Sequence, residues 1–80
     1  MPNIYILKSK TDSSHYIGCC NDLEKRFKLH NAGLVKSTKR SMPWKIVHTE
    51  FHDTMSLARK RESEIKSWKK RSRIEGLISI

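Results

Sequence analysis

Two short apolar runs, each holding a tyrosine, are separated by a stretch with nothing to bury. Ile4-Tyr5-Ile6-Leu7 and His15-Tyr16-Ile17-Gly18 flank Lys8-Ser9-Lys10-Thr11-Asp12-Ser13-Ser14, a cluster of turn formers. Runs of this length and composition read as strands, and the polar spacer as the loop of a β-hairpin. Four consecutive apolar residues at 4–7 need cover on both faces, so the first strand, about residues 3–8, is expected to be central. The second covers about residues 14–19. A register that keeps both tyrosines on one face brings two phenols together across neighbouring strands. Gly18, without a side chain, permits close approach to the backbone there.

A helix follows over about residues 22–31. Asn21 stands as its N-cap with Glu24 three residues on, the spacing of a capping box. Gly33, just past Asn31-Ala32, suits a left-handed stop. Along this helix Leu23, Phe27 and His30 share one flank, with Arg26 beside them. One surface thus gathers Tyr5, Tyr16, Arg26 and His30 next to Gly18. Such a surface suits the handling of phosphate.

The stretch from Leu34 to Met42 carries Lys36, Lys39 and Arg40 among three hydroxyls and has little to bury. It reads either as a solvated linker or as a phosphate contact. Pro43 opens a third strand, Trp44 to Phe51, in which Trp44 is expected to anchor the core rather than stack on a base. His48 and His52 lack metal-ligand spacing and read as structural or surface residues. Asp53 or Thr54 caps a second helix running to about Lys70, with an apolar stripe of Met55, Ala58 and Ile65 flanked by Leu57 and Trp68. Glu62 falls on that stripe. It is either a charge at the edge of the core, paired to Lys66 or Arg59, or a carboxylate held over the sheet for a metal. Its position does not choose between the two. Ser72 with Glu75 forms a second capping-box spacing, opening a last helix whose Ile74, Leu77 and Ile78 return to the core. The expected fold is one α+β domain over residues 1–80, a three-stranded antiparallel sheet with helices in the order β-β-α-β-α-α.

Seventeen Lys and Arg against eight Asp and Glu leave a net charge of +9 on 80 residues. A surplus that large on so small a body favours a polyanionic partner, with nucleic acid ahead of an anionic membrane. The interrupted stripe of the second helix argues against a helix lying on a membrane. No apolar run approaches the roughly 20 residues of a transmembrane helix, and no signal-type segment opens the chain, so the expected compartment is the cytoplasm. Cys19 and Cys20 are adjacent, which suits neither a mutual disulfide nor a zinc site; they are expected to alternate across the strand end as half-buried thiols. Lys66, Lys69, Lys70, Arg71 and Arg73 crowd the end of the second helix, more cations than its dipole needs.

Ile4-Tyr5-Ile6, then about ten residues on Tyr16-Ile17-Gly18, then Arg26 and His30-Asn31 on the next helix, together resemble the GIY-YIG nuclease superfamily, closest to its small single-domain bacterial type. The likeness continues through Gly33, Thr38 and Pro43, then Ala58, Arg61-Glu62, Ile65-Lys66 and Leu77-Ile78. It implies the same fold and an endonuclease that hydrolyses phosphodiester bonds in DNA, duplex or structured, with one magnesium or manganese ion on Glu62. It also implies that Tyr5 activates the attacking water while Tyr16 orients the phosphate or shares that task. A phenol is a poor base near neutrality, so the metal and nearby cations, Arg26 or Lys8 among them, are expected to lower the affinity of Tyr5 for its proton. Arg26 offers a planar fork to two phosphate oxygens, and His30 a donor or a proton shuttle. Lys36, Lys39, Arg40, Lys66, Lys69 and Lys70 are the expected contacts to the DNA backbone. A chain this short has no room for a separate DNA-reading domain, which leaves low sequence selectivity, structure selectivity or a targeting protein partner. Two other readings stand beside this one: a non-catalytic nucleic-acid binder on the same fold, and an interaction module for an acidic protein.

The charge alone generates a first prediction. With about four to six phosphates contacted, the logarithm of duplex-DNA affinity should fall against the logarithm of salt with a slope of roughly −4 to −5. Anisotropy titrations in a salt series measure it, and a flat response would remove nucleic acid as the partner.

Overall fold

The computed structural model describes residues 2–78, the side chain of Arg71 excepted. Its elements are β1 (Asn3–Ser9), β2 (His15–Cys20), α1 (Leu23–Asn31), a 3-10 turn (Lys39–Ser41), β3 (Trp44–Phe51), α2 (Met55–Ser67) and α3 (Arg71–Ile78). The sheet is antiparallel in the order β2-β1-β3, so β1 is central as its apolar run demands. Ile4, Tyr5, Ile6 and Leu7 are all buried, and they divide by parity. Ile4 and Ile6 join Ile17, Ala58 and Ile65 under α2 and α3, with Ile74, Leu77 and Ile78 packed against them. Tyr5 and Leu7 join Cys20 and Trp44 under α1, beside Tyr16, Leu23 and Phe27. The two thiols alternate as expected, Cys19 against the first cluster and Cys20 within the second.

Trp44 reaches the Tyr5 face because β3 carries an irregularity. Tyr5 lies opposite Thr49 and Ile6 opposite His48, but Leu7 is opposite Ile46, one residue further than regular pairing allows. The extra residue, Val47, shifts the parity of everything before it, so that Trp44, opposite Ser9, shares the face of Tyr5 and Leu7. Trp44 is buried there, an anchor rather than a stacking platform.

Several helix ends differ from expectation. β2 runs through Cys20, so the extended backbone continues one residue further and Asp22, not Asn21, caps α1: its Oδ1 accepts from the Lys25 N–H at 3.1 Å. Glu24 therefore forms no capping box and pairs with Lys28 on the exposed side. α1 stops as expected, with Gly33 at φ 74° and the Leu34 N–H returning to the Leu29 carbonyl. Thr54 caps α2. That helix ends at Ser67 rather than near Lys70, because Lys69 takes a left-handed φ of 54°. Lys69 and Lys70 thus belong to a connection. Ser72 lies inside α3, whose first N–H groups at Arg73 and Ile74 return to the Lys70 carbonyl, so the second capping box is not formed. Leu57 is exposed rather than flanking the core.

The other side of the sheet is tied to α2 through Glu50. Its carboxylate accepts from Arg61 Nε (2.9 Å) and Nη2 (3.2 Å), from His48 Nε2 (2.9 Å) and from His52 Nε2 (3.4 Å). The structural reading of both histidines holds. Arg61 also bonds Glu64 and, with Arg73, covers the Trp68 ring. Burial works to raise the Glu50 carboxyl, but the bonds from Arg61, His48 and His52 outweigh it and hold it at about 2 against an ordinary 4.5. A depressed carboxylate contributes stability that is complete above its ordinary value and is lost as pH falls through the folded one. Unfolding melts in a pH series should therefore lose on the order of 3 kcal/mol between about pH 4.5 and 2. Glu50→Gln should lose that part already at neutral pH and flatten the profile in this window.

Candidate active site

The register Tyr5↔Gly18 and Leu7↔Tyr16 places both tyrosines on the α1 face of the sheet, diagonal to one another, with ring centroids 6.2 Å apart. Gly18 lies directly opposite Tyr5. A Cβ added there would stand 2.5 Å from the phenolic oxygen and 2.7 Å from Cζ, so the missing side chain makes room for the Tyr5 ring itself. The close approach expected at this glycine is that of a phenol.

His30, on the inward flank of α1, completes the group. Its ring centroid lies 5.8 Å from that of Tyr5 and 4.9 Å from that of Tyr16. Tyr5 Oη and His30 Nε2 are 3.0 Å apart, and His30 Nδ1 and Thr38 Oγ1 are 2.8 Å apart. The Thr38 hydroxyl donates onward to the Val35 carbonyl at 3.3 Å, so it accepts from His30 Nδ1–H. Nε2 is then a lone pair and must receive the Tyr5 proton. A single directed chain runs Tyr5 O–H, His30, Thr38, Val35 carbonyl. Tyr5, His30 and Thr38 are all buried. Burial first, then the charge of Arg26, lowers the affinity of His30 for a second proton, which keeps the ring neutral. Burial also pushes the Tyr5 phenol far up, reinforced by Tyr16 and Cys20; Arg26 pulls the other way and is outweighed. Of the expected influences on Tyr5, the pull of Arg26 is present and burial outweighs it. Desolvation wins, and the proton of Tyr5 is held to His30 rather than shed to solvent.

Thr38 was not legible as a site residue: a hydroxyl among cations reads as solvated until its partner is known. The 34–42 stretch is no simple linker. Thr38 sits buried in it, Trp44 Nε1 donates to the Thr38 carbonyl at 3.0 Å, and Asn31 clasps the Trp44 backbone through both amide atoms (3.1 and 2.6 Å). The hairpin loop is pinned to the same stretch, with Ser9 Oγ donating to the Ser41 carbonyl at 2.6 Å and Ser41 Oγ to Asp12 at 2.7 Å. Lys36, Lys39 and Arg40 stay exposed around Thr38. Lys69 and Lys70 are exposed in the α2–α3 connection.

Arg26 is exposed on α1, and its charge is felt at Tyr5, Cys20 and His30. Glu62 belongs to the other face. It lies on the α2 side, where Cys19 Sγ–H donates to Oε1 at 3.0 Å and Lys66 Nζ to Oε2 at 2.6 Å. Its charge reaches Tyr5 and adds to the raising of that phenol, so it borders the tyrosine group at the edge strand rather than joining it. Burial raises the Glu62 carboxyl, and the bonds from Lys66 and Cys19 outweigh it, so Glu62 is ionised at neutral pH. The pairing with Lys66 expected for a charge at the core edge is formed. Among the described residues no cluster of three or more His, Cys, Asp or Glu could hold a metal. A lone ionised carboxylate does not fit zinc. It fits magnesium, which keeps most of its waters and takes one or two carboxylates plus phosphate oxygens.

With this geometry in place, the relatives can be stated. The profile of the GIY-YIG catalytic domain matches residues 1–75. The chain belongs to the GIY-YIG catalytic-domain family. It is 46% identical to a UPF0213 protein of Staphylococcus saprophyticus over 77 residues, covering 95% of this chain and 92% of that one. It is 42% identical to a UPF0213 protein of Clostridium perfringens over 80 residues, 99% and 84% of the two chains. Its fold is similar to the solution NMR structure of a UPF0213 protein from Bacillus halodurans, with a TM-score of 0.61 and 33% identity over 99% of this chain and 84% of that one. This GIY-YIG domain has the expected β-β-α-β-α-α order. Among the described residues no helix is long and apolar enough to cross a membrane.

The directed chain through His30 is testable. Thr38→Val keeps volume and removes the acceptor for Nδ1–H, leaving a buried donor unpaired at a cost of about 1–3 kcal/mol. Nitrogen-15 shifts of the His30 ring should report the Nδ1–H form in the wild type and lose it in Thr38→Val. In the wild type the ring should remain neutral below the ordinary 6.5.

Proposed function

We propose that the domain hydrolyses phosphodiester bonds of DNA, with a magnesium or manganese ion at Glu62. The observation that carries this is the buried hydrogen-bonded chain from Tyr5 through His30 to Thr38, set beside the accessible cation of Arg26. A phosphodiester is an anion, and hydrolysis gathers further charge on its oxygens. Arg26 supplies a bidentate, permanently charged fork for two of them. Attack requires a water to lose its proton as the new P–O bond forms and the old one breaks. Burial, with Tyr16 and Cys20 beside it, opposes a standing phenolate at Tyr5 as far as the protein's own groups decide. Tyr5 can accept the water's proton while passing its own to His30 Nε2, which Thr38 orients; because burial and Arg26 disfavour a lasting imidazolium, the proton returns through Tyr5 to the departing oxygen. His30 then acts through Tyr5 and need not touch the substrate. Tyr16, half-buried against both rings, lies where it can orient the phosphate. A divalent ion bound at Glu62 would supply Lewis-acid neutralisation of the phosphoryl and leaving oxygens. Lys66 already holds that carboxylate and ionises it beforehand. Lys36, Lys39, Arg40, Lys69 and Lys70 are exposed cations that fit backbone phosphates around this centre.

One observation favours a second reading, a binder without catalysis. Tyr5 is 2% exposed and His30 fully buried, while both oxygens of Glu62 are engaged by protein donors. A binder shifts DNA equally well in chelator and never nicks it. The hydrolase reading expects nicking of plasmid DNA only with a divalent ion. Glu62→Gln should then lower cleavage by roughly several hundred-fold, with DNA binding unchanged or slightly tighter because a negative charge has gone. Wild-type cleavage by Glu62→Gln in magnesium would move the function to the binder.

A further inference from the structure

At the end of the edge strand the sheet leaves an open cleft of about 420 Å³ between the first turns of α1 and α2. It lies beyond the tyrosine group and contains neither tyrosine. Cys19 and Cys20 form its floor, pointing to opposite faces of the sheet. Its walls bring three cations from two elements: Lys25 and Arg26 on α1 and Arg59 on α2. All three are exposed, and among the described residues no ion pair engages any of them. The one acid in the wall, Asp22, has its Oδ1 committed to capping α1. Arg59 also leans toward the metal-side carboxylate, since its charge acts on Cys19 and Glu62. Against these three cations the wall sets one carboxylate, Asp22, with Glu62 reached by Arg59 from outside it, so the concave space keeps a positive excess that favours an anion.

The geometry points to a second phosphate subsite here: Lys25 and Arg59 grip a phosphate of the nucleic-acid backbone adjacent to the one addressed by Arg26. The cleft is too large for an inorganic phosphate alone and has room for a sugar-phosphate unit, with Leu29 and Met55 as its apolar lining. Arg26, shared between the cleft and the tyrosine group, sets the two phosphates next to each other. The inference rests on the phosphodiester reading above and adds two residues to it. Arg59 and Lys25 position the strand rather than act on the reacting atoms.

The test is binding of a short DNA duplex by the full chain, followed by anisotropy in chelator across a salt series. Cleavage does not enter it, so the absence of nuclease activity and the absence of this subsite give different results. Arg59→Gln and Lys25→Gln should each weaken binding roughly threefold to tenfold and reduce the salt slope by about one. Arg59→Lys should recover most of the loss, and thermal melts should match the wild type. Lys60→Gln removes an equally exposed charge one residue away from Arg59 and outside the cleft; it should have a smaller effect. An equal loss at Lys60 would reduce the effect to net charge and overturn the subsite. Nitrogen-15 titrations separate the source of the phosphate. DNA should shift the amides of Cys19, Lys25 and Arg59 well before inorganic phosphate does at matched ionic strength. Tight binding of inorganic phosphate there, with no effect of Arg59→Gln on DNA, would overturn the backbone assignment in favour of a free phosphate ligand.

Discussion

A strand with apolar residues at four successive positions has to be kept dry on both faces, and the rest of the chain is arranged to do this. β1 lies between β2 and β3, α1 covers the face of Tyr5 and Leu7, and α2 with α3 covers the face of Ile4 and Ile6. Two small cores back to back take the place of one large one. Each buried aliphatic contributes about 1.5–3 kcal/mol, and β1 supplies four residues to the interior at once. That concentration lets a short chain carry so much uncompensated positive charge on its surface and remain folded.

The division into two faces also organises the chemistry. The α1 face holds a desolvated set of aromatic rings in which Tyr5, His30 and Thr38 are joined by hydrogen bonds. The α2 face holds the ionised carboxylate of Glu62 with its thiol and ammonium donors. Were Glu62 among the phenols, its charge would raise their hold on protons still further. Placed around the edge strand, it influences Tyr5 only at a distance. The hydrogen-bonded rings and the ionised carboxylate thus lie on opposite sides of one narrow strand.

Much of this is written in the sequence because it depends on local periodicity. The central strand and the alternation of the two thiols follow from parity and residue type; the burial of Trp44 follows from residue type but against parity, and the choice of Thr54 over Asp53 as cap is made only in the fold. The frame of α1 was misread by one residue because Asn21 and Asp22 are equally good caps and only the end of β2 decides between them. α2 stops early because Lys69 adopts a left-handed backbone, which nothing in its side chain announces. Thr38 stands in the family likeness, but its role is not legible because its partners, His30 and Trp44, are distant in the chain, and a buried hydroxyl looks like any other until its neighbours are known. Burial also reversed the expected electrostatics of Tyr5, since a neighbouring cation is visible in a sequence and desolvation is not.

The irregular residue in β3 has a wider meaning. Trp44 faces the phenols only because Val47 adds one step to the strand, and through Trp44 the 34–42 stretch is latched by its Thr38 carbonyl and the Asn31 side chain. The orientation of His30 thus depends on a count of residues some distance away in the chain, as well as on their identities. A chain that preserved Tyr5, Tyr16, Arg26, His30 and Glu62 but lost one residue from β3 would keep every chemical group and turn the indole to solvent. Inheritance of this site is inheritance of a spacing, and comparison of descendants by motif alone would miss those in which the spacing has slipped.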